Sequence, residues 1–239
     1  MTVELLDQVE FEQNPEPRCP VVLLLDTSGS MAGKPINELN AGLQEFERAL
    51  KSDPLAALRV EVAVVTFGGT VQAYDVTSGG KNPVAFDAAQ AFVTADRFQP
   101  PTLEAQGETP MGEAVRRALD LVHDRKEVYK QGSLDYFRPW VFLITDGRPT
   151  DSGWEAVAEQ VKQEEARKGI SFYAVAVEGA DLKTLARFSE QRDPVKLKGL
   201  AFRELFQWLS KSLSVVANSQ PGQQAPLPPV GWAQVDTSH

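Results

Sequence analysis

Val21-Val22-Leu23-Leu24-Leu25-Asp26-Thr27-Ser28-Gly29-Ser30-Met31 sets the reading of the whole chain, because five apolar residues without polar alternation break into a cluster of oxygen-bearing side chains. The apolar run fits a strand covered on both faces, as in a parallel sheet flanked by helices. Its polar end falls where doubly wound α/β folds bind ligands, outside the carboxyl ends of the strands. Asp26, Ser28 and Ser30 form a hard-oxygen set there, suited to Mg²⁺ or Mn²⁺ and poorly suited to zinc or copper. The competing use of the same residues is a polar turn, in which Asp and Ser bond their own backbone and Gly29 supplies a left-handed position.

Two distant stretches tip the balance toward a ligand site. Gly107-Glu108-Thr109-Pro110-Met111 places a hydroxyl immediately before a helix, and Val141-Phe142-Leu143-Ile144-Thr145-Asp146-Gly147 is a second apolar strand ending in Asp-Gly. Asp-x-Ser-x-Ser, a loop Thr and a strand-terminal Asp, in that order and those contexts, resemble the metal-ion-dependent adhesion site of von Willebrand factor A (VWA) domains. The resemblance implies Asp26, Ser28, Ser30, Thr109 and Asp146 as metal ligands, with Mg²⁺ as the ion and Mn²⁺ or Ca²⁺ as alternatives.

The chain has 239 residues, 42% hydrophobic and 24% charged, enough for one large α/β core with appendages. A net charge of −9 argues against binding a phosphate backbone, which needs Lys and Arg to displace counterions. The single cysteine, Cys19, offers no internal disulfide and, with two histidines, no zinc set. No run approaches the roughly 20 apolar residues of a membrane span, and the N-terminus lacks a basic leader pattern, so a cytoplasmic protein is expected.

Along the chain, residues 1–19 read as an arm with a short strand near Val3 to Leu6, residues 20–217 as the domain, and 218–239 as a Pro- and Gly-containing, flexible tail in which Trp232 could dock back. Ile36, Leu39, Leu43, Phe46 and Leu50 recur at helical spacing and predict a helix from about Pro35 to Lys51. Arg59 to Phe67 and Thr70 to Val76, joined at Gly68-Gly69, predict a hairpin and an antiparallel edge strand. A short helix is expected near Asp87 to Val93. Thr109 is expected to cap the helix that begins after Pro110, and Asp151 or Ser152 the helix carrying Trp154 and Val161. Strands at Ile170 to Val177 and Val195 to Leu197, a short helix from Leu182 to Phe188, and an amphipathic helix through Phe202 and Val216 complete the pattern. Strands and helices alternate five times, which selects an α/β, doubly wound (Rossmann-like), mostly parallel six-stranded sheet with helices on both faces.

Chemically, two carboxylates roughly balance a dication, whereas three hydroxyls donate weakly. The ion therefore stays electrophilic, and the Asp or Glu carboxylate of a partner protein is the natural ligand for an open position. In the VWA family this is how the site recognises proteins. Arg148, just past Asp146, could steer an incoming carboxylate or simply face solvent. Glu108 stands where many family members have glycine, and either binds water near the metal or faces solvent. The resemblance extends to loop wording: Glu108 to Ala114, Tyr129 to Phe137, and Arg138-Pro139-Trp140 running to Asp151 look like the TerY-like bacterial VWA proteins. Those are cytoplasmic, occur with tellurium-resistance systems, and are associated with a protein kinase and a PP2C-type phosphatase.

An enzyme using the same strand-end site, a metal-dependent hydrolase or phosphotransferase, is the alternative. It lacks a base for Ser28 or Ser30, since His123 falls in a helical pattern and His239 is terminal. No G-x-S-x-G elbow and no phosphate-binding glycine motif occurs.

Overall fold

Strand β1 (Cys19–Asp26) is buried along its whole length, which is why its sequence shows no alternation. In a computed structural model of the chain, which describes residues 11, 13–77, 79, 82–223, 225–231 and 233–234, β1 lies at the middle of the sheet. It pairs in parallel with β2 (Val60–Gly68) on one side and β6 (Trp140–Thr145) on the other. β7 (Ser171–Ala176) and β8 (Val195–Leu197) continue parallel beyond β6. β3 (Thr70–Tyr74) pairs antiparallel with β2. These are the six strands the sequence predicts.

Three two-residue strands enlarge the sheet to nine. β4 (Pro83–Val84) pairs outside β3, β5 (Val93–Thr94) pairs with β2, and β9 (Ala233–Gln234) pairs with β8, all antiparallel. β3 is thus antiparallel as expected but not outermost. Two residues carry no readable periodicity, so such strands leave no sequence signal. The expected strand near Val3 to Leu6 lies outside the described residues, as does Trp232.

Side chains of β1 alternate between two apolar layers. Val21, Leu23 and Leu25 face the layer built by α1 (Lys34–Lys51) and α7 (Phe202–Ala217), with Leu39, Leu43, Phe46, Phe206 and Leu209 fully buried. Val22 and Leu24 face the other layer, built chiefly by α4 (Met111–Gln131) and α5 (Trp154–Ala166). Each large side chain buried this way contributes about 1.5–3 kcal/mol. Helices α2 (Pro54–Arg59), α3 (Ala88–Ala91) and α6 (Leu182–Leu185) are short and begin at Asp53, Asp87 and Asp181, whose carboxylates accept from backbone N–H groups of the first turn. α1 and α7 approach closely because Gly42 carries no side chain: a Cβ there would lie 2.7 Å from Phe206 and 3.1 Å from the Phe202 carbonyl. Among the described residues no helix is long and apolar enough to cross a membrane.

A buried polar cluster closes the amino-terminal end of the parallel strands. Glu61 at the start of β2 accepts from Arg18 Nε at 2.9 Å, from Arg125 Nε and a second Arg125 nitrogen at 2.8 Å each, and from the Tyr129 hydroxyl. Burial alone would raise the Glu61 carboxyl, but Arg125, Arg18 and Tyr129 outweigh it and hold the group below the usual carboxylate range. Six residues of strand, roughly 20 Å, separate this cluster from the other end of β2.

Candidate functional site

The carboxyl ends of β1 and β6 place Asp26 and Asp146 side by side, because the Leu25–Ile144 register sets Asp26 level with Thr145. Thr145 Oγ1 donates to Asp26 Oδ2, and the Ser28 backbone N–H donates to Asp26 Oδ1 at 2.8 Å. Asp26 is fully buried at the floor of the site. Its carboxyl is pushed above its ordinary value, first by burial and further by the neighbouring charge of Asp146, while hydrogen bonds from Ser28 and Thr145 offset part of the rise.

From that floor the chain turns outward through a short 3-10 turn, Gly29–Met31. Ser28 Oγ and Ser30 Oγ lie 3.0 Å apart, and Ser30 Oγ donates to Asp146 Oδ1 at 2.7 Å. Ser28 is buried, Ser30 exposed and Asp146 half-buried, so the cluster opens to solvent on the Ser30 and Asp146 side.

Thr109 arrives on the loop before α4. That loop is clamped to its neighbours by backbone bonds: Gly29 N–H to Gly107 O at 2.9 Å, Gly69 N–H to Glu108 O at 2.8 Å, and Gln106 N–H to Thr27 O at 2.7 Å. Two glycines permit the approach. A Cβ on Gly68 would sit 2.3 Å from Thr27 O, and one on Gly107, whose φ is +72°, would sit 2.5 Å from Gly69 Cα. Thr109 Oγ1 and Asp26 Oδ2 then face one spot beside Gly147, at 3.2 and 3.6 Å from the position a Cβ on Gly147 would take. The structure therefore brings all five expected residues, Asp26, Ser28, Ser30, Thr109 and Asp146, to one end of β1 and β6.

The two expected caps are corrected. Pro110 occupies the position before α4 and makes no side-chain cap. Asp151, from the loop after β6, caps α4 instead of its own helix: its carboxylate accepts from Gly112 N–H at 3.1 Å and Glu113 N–H at 2.7 Å. Gly153, at φ +83°, precedes α5 with no side-chain cap. Thr109 is held by backbone, its N–H donating to Thr150 Oγ1 at 3.1 Å and its carbonyl accepting from Thr150 N–H at 3.0 Å. Among the described residues the Thr109 hydroxyl makes no hydrogen bond. Glu108 is exposed and, among the described residues, has no ion-pair partner. Arg148 is 76% exposed and lies 3.2 Å from Asp181 Oδ2, so its nearest charge is internal.

Thr145 carries no signal of its role in the sequence, since only the strand register brings its hydroxyl to Asp26. Asp151 caps a helix other than the one that follows it, a contact between a loop and a helix start far apart in sequence that no local pattern reveals. Among the described residues no three His, Cys, Asp or Glu side chains gather as a metal site. Any ion held at β1 and β6 must draw on hydroxyl oxygens beside the two carboxylates, and that donor set fits a hard dication. The like-charge cost between Asp26 and Asp146 is what a cation would relieve.

The von Willebrand factor type A domain profile matches residues 21–204. The chain belongs to the VWA family. VWA domains generally mediate metal-dependent protein–protein interaction and are typically not enzymes. Among solved structures, the chain is similar to a von Willebrand factor type A protein from Catenulispora acidiphila, with TM-score 0.56, 16% identity, and coverage of 83% of this chain and 43% of that one. It is similar to the pilus adhesin SpaC from Lactobacillus rhamnosus GG in an open conformation, with TM-score 0.59, 14% identity, and coverage of 84% and 30%. It is also similar to the manganese-loaded TRAP protein of Plasmodium vivax, with TM-score 0.50, 17% identity, and coverage of 80% and 73%. The chain spans less than half the length of the first two structures. No curated protein sequence matches it.

Proposed function

We propose that this VWA domain is a metal-dependent interaction module, in which Asp26, Ser28, Ser30, Thr109 and Asp146 hold Mg²⁺ and a partner protein binds through the carboxylate of an Asp or Glu side chain. The observation that carries this reading is the Ser30 to Asp146 contact at 2.7 Å, which joins the Asp-x-Ser-x-Ser turn to the second strand end, with the unengaged Thr109 hydroxyl arriving from a third loop. A bound dication supplies an electrophilic centre with an open position for an anion. The protein's own part is positional: β1 and β6 fix the carboxylates, the 3-10 turn presents the hydroxyls, and the backbone clamp on residues 106–109 fixes Thr109. The manganese-loaded Plasmodium vivax relative supports a divalent ion in this fold, and Mn²⁺ or Ca²⁺ is then a substitute for Mg²⁺. Arg148 steers the incoming carboxylate only after leaving Asp181.

We further propose, from the resemblance of the loop wording around Glu108 to Ala114, Tyr129 to Phe137 and Arg138 to Asp151, that the chain is a TerY-like bacterial protein. On that reading it works in the cytoplasm, in a tellurium-resistance, stress-response or signalling system, with a protein kinase or a PP2C-type phosphatase as partner. The domain acts without catalysis. Among the described residues no histidine stands beside Ser28 or Ser30 to serve as the base for a nucleophilic hydroxyl. His123 is exposed on α4, roughly 18 Å of helix beyond Met111.

Thermal melting with millimolar Mg²⁺ and with EDTA tests the proposal. At a hundredfold excess over Kd, mass action adds about 2.7 kcal/mol, or roughly 5–10 °C in Tm for a domain of this size. Asp26→Ala removes that shift. Superimposable curves with and without the ion, in the wild type, overturn the reading.

A further inference from the structure

Two exposed carboxylates flank the site from opposite sides. Glu108 immediately precedes Thr109, on a backbone pinned by Gly69 N–H to its carbonyl at 2.8 Å. Glu178 lies in the loop after β7, which is seated against the other wall: Val177 N–H donates to Thr145 O at 2.8 Å, and a Cβ on Gly179 would lie 3.6 Å from Asp146 O. Among the described residues neither Glu108 nor Glu178 has an ion-pair partner. The base on the ligand-bearing loops, Arg148, is matched to Asp181 at 3.2 Å. Lys34 and Lys183 stand in the first turns of α1 and α6, and among the described residues neither forms an ion pair with Glu108 or Glu178. Once a dication balances Asp26 and Asp146, Glu108 and Glu178 remain beside it as carboxylates without an ion-pair partner among the described residues, on a chain whose net charge is −9. A lone acidic peptide would be repelled by those carboxylates, and an acid set among basic residues would be drawn to them.

Resting on the metal-dependent reading above, we propose that the partner presents its metal-binding Asp or Glu flanked by Lys or Arg, and that Glu108 and Glu178 select for those flanking bases. Two exposed ion pairs change affinity roughly three- to tenfold, an effect that weakens as salt is raised. The test uses two short peptides, one with a central Asp among glycines and one with Lys two residues to each side of that Asp. Binding to the full chain is measured with Mg²⁺ and with EDTA, at low and high salt, for the wild type and for the double variant Glu108→Gln, Glu178→Gln. The expected result is Mg²⁺-dependent binding of both peptides, with the Lys-flanked one roughly three- to tenfold tighter at low salt and the preference lost in the double variant. Equal binding of the two peptides, or a preference that survives the double variant, overturns the proposal while leaving the metal-dependent reading intact. No Mg²⁺-dependent binding of either peptide, together with no Mg²⁺ shift in Tm, is the failure of that underlying reading. A Lys-flanked peptide with Asn in place of Asp that binds as well as its parent also overturns the proposal, because the bases then act without the acid.

Discussion

Asp151 caps α4, and that leaves the Thr109 hydroxyl unengaged among the described residues. The two residues should therefore separate cleanly by mutation. Asp151→Ala loses two acceptor contacts at a helix start and is expected to lower the urea unfolding free energy by about 1–2 kcal/mol, without Mg²⁺ and with it. Thr109→Ala is expected to cost under about 1 kcal/mol without Mg²⁺ and to reduce the Mg²⁺-induced shift. A larger loss for Thr109→Ala than for Asp151→Ala in EDTA would show that Thr109 is the cap. Asp26 yields a prediction of opposite sign. Its folded carboxyl is raised, so the folded state holds its proton more tightly than the unfolded chain and loses stability as pH climbs through the carboxylate range. In EDTA at neutral pH, Asp26→Asn, which keeps the acceptor for Ser28 N–H, is expected to melt no lower than the wild type; with Mg²⁺ the order reverses. That Asp26 and Asp146 each end a strand is legible in the sequence, because each follows a continuous apolar run; that the two strands are neighbours comes from the sheet pairing. The donor to Asp26 and the cap of α4 are not legible, since Thr145 meets Asp26 through the register of β6 on β1 and Asp151 reaches from a loop to the first turn of a helix far away in sequence.

Elements obey the same division between local and non-local information. α1 and α7 are legible from helical periodicity, and the six main strands from length and β-branched content. β4, β5 and β9 exist only because a longer strand offers them an unpaired edge. The Glu61 cluster is likewise invisible to periodicity. Glu61 sits in a run that reads as a buried strand, and the partners that make a charge tolerable there come from the arm at Arg18 and from α4 at Arg125 and Tyr129. Because these contacts hold the Glu61 carboxyl below its ordinary value, their contribution is fully present above about pH 5 and is lost as pH falls through the lowered value. Glu61→Gln keeps the side-chain shape but leaves buried guanidinium groups without that charge, and is expected to cost about 3–5 kcal/mol at pH 7. Urea denaturation at pH 7 and near pH 3 checks this: the gap between wild type and variant should narrow in acid. A gap of equal size at both pH values would mean that Glu61 stabilises by shape rather than by charge.

At the scale of the whole molecule, the chain beyond α7 returns to the sheet. The Trp208 indole N–H donates to Pro228 O at 2.8 Å, Lys198 Nζ to Gly231 O at 3.2 Å, and β9 pairs with β8. Leu227, Pro228 and Val230 form one side of a cavity of about 300 Å³ whose other walls include Phe142, Tyr173, Val175 and Trp208. These walls belong to β6, β7 and α7, so the tail covers apolar surface on the face of the sheet that α7 packs against, beside the strand that delivers Asp146. Leu227 and Val230 remain 36% and 40% exposed, so the covering is partial and its contribution is modest. Deleting residues 224–239 is expected to leave the far-ultraviolet circular dichroism nearly unchanged, lower stability by about 1–3 kcal/mol, and raise the binding of a hydrophobic dye as the aromatic floor opens to water. The Mg²⁺ shift in Tm should persist, because the tail supplies none of Asp26, Ser28, Ser30, Thr109 or Asp146. A deletion that leaves dye binding and urea midpoint at wild-type values would show that the aromatic floor is closed without the tail. A deletion that abolishes the Mg²⁺ shift would tie the tail to the far end of β6, a coupling that the contacts among the described residues do not require.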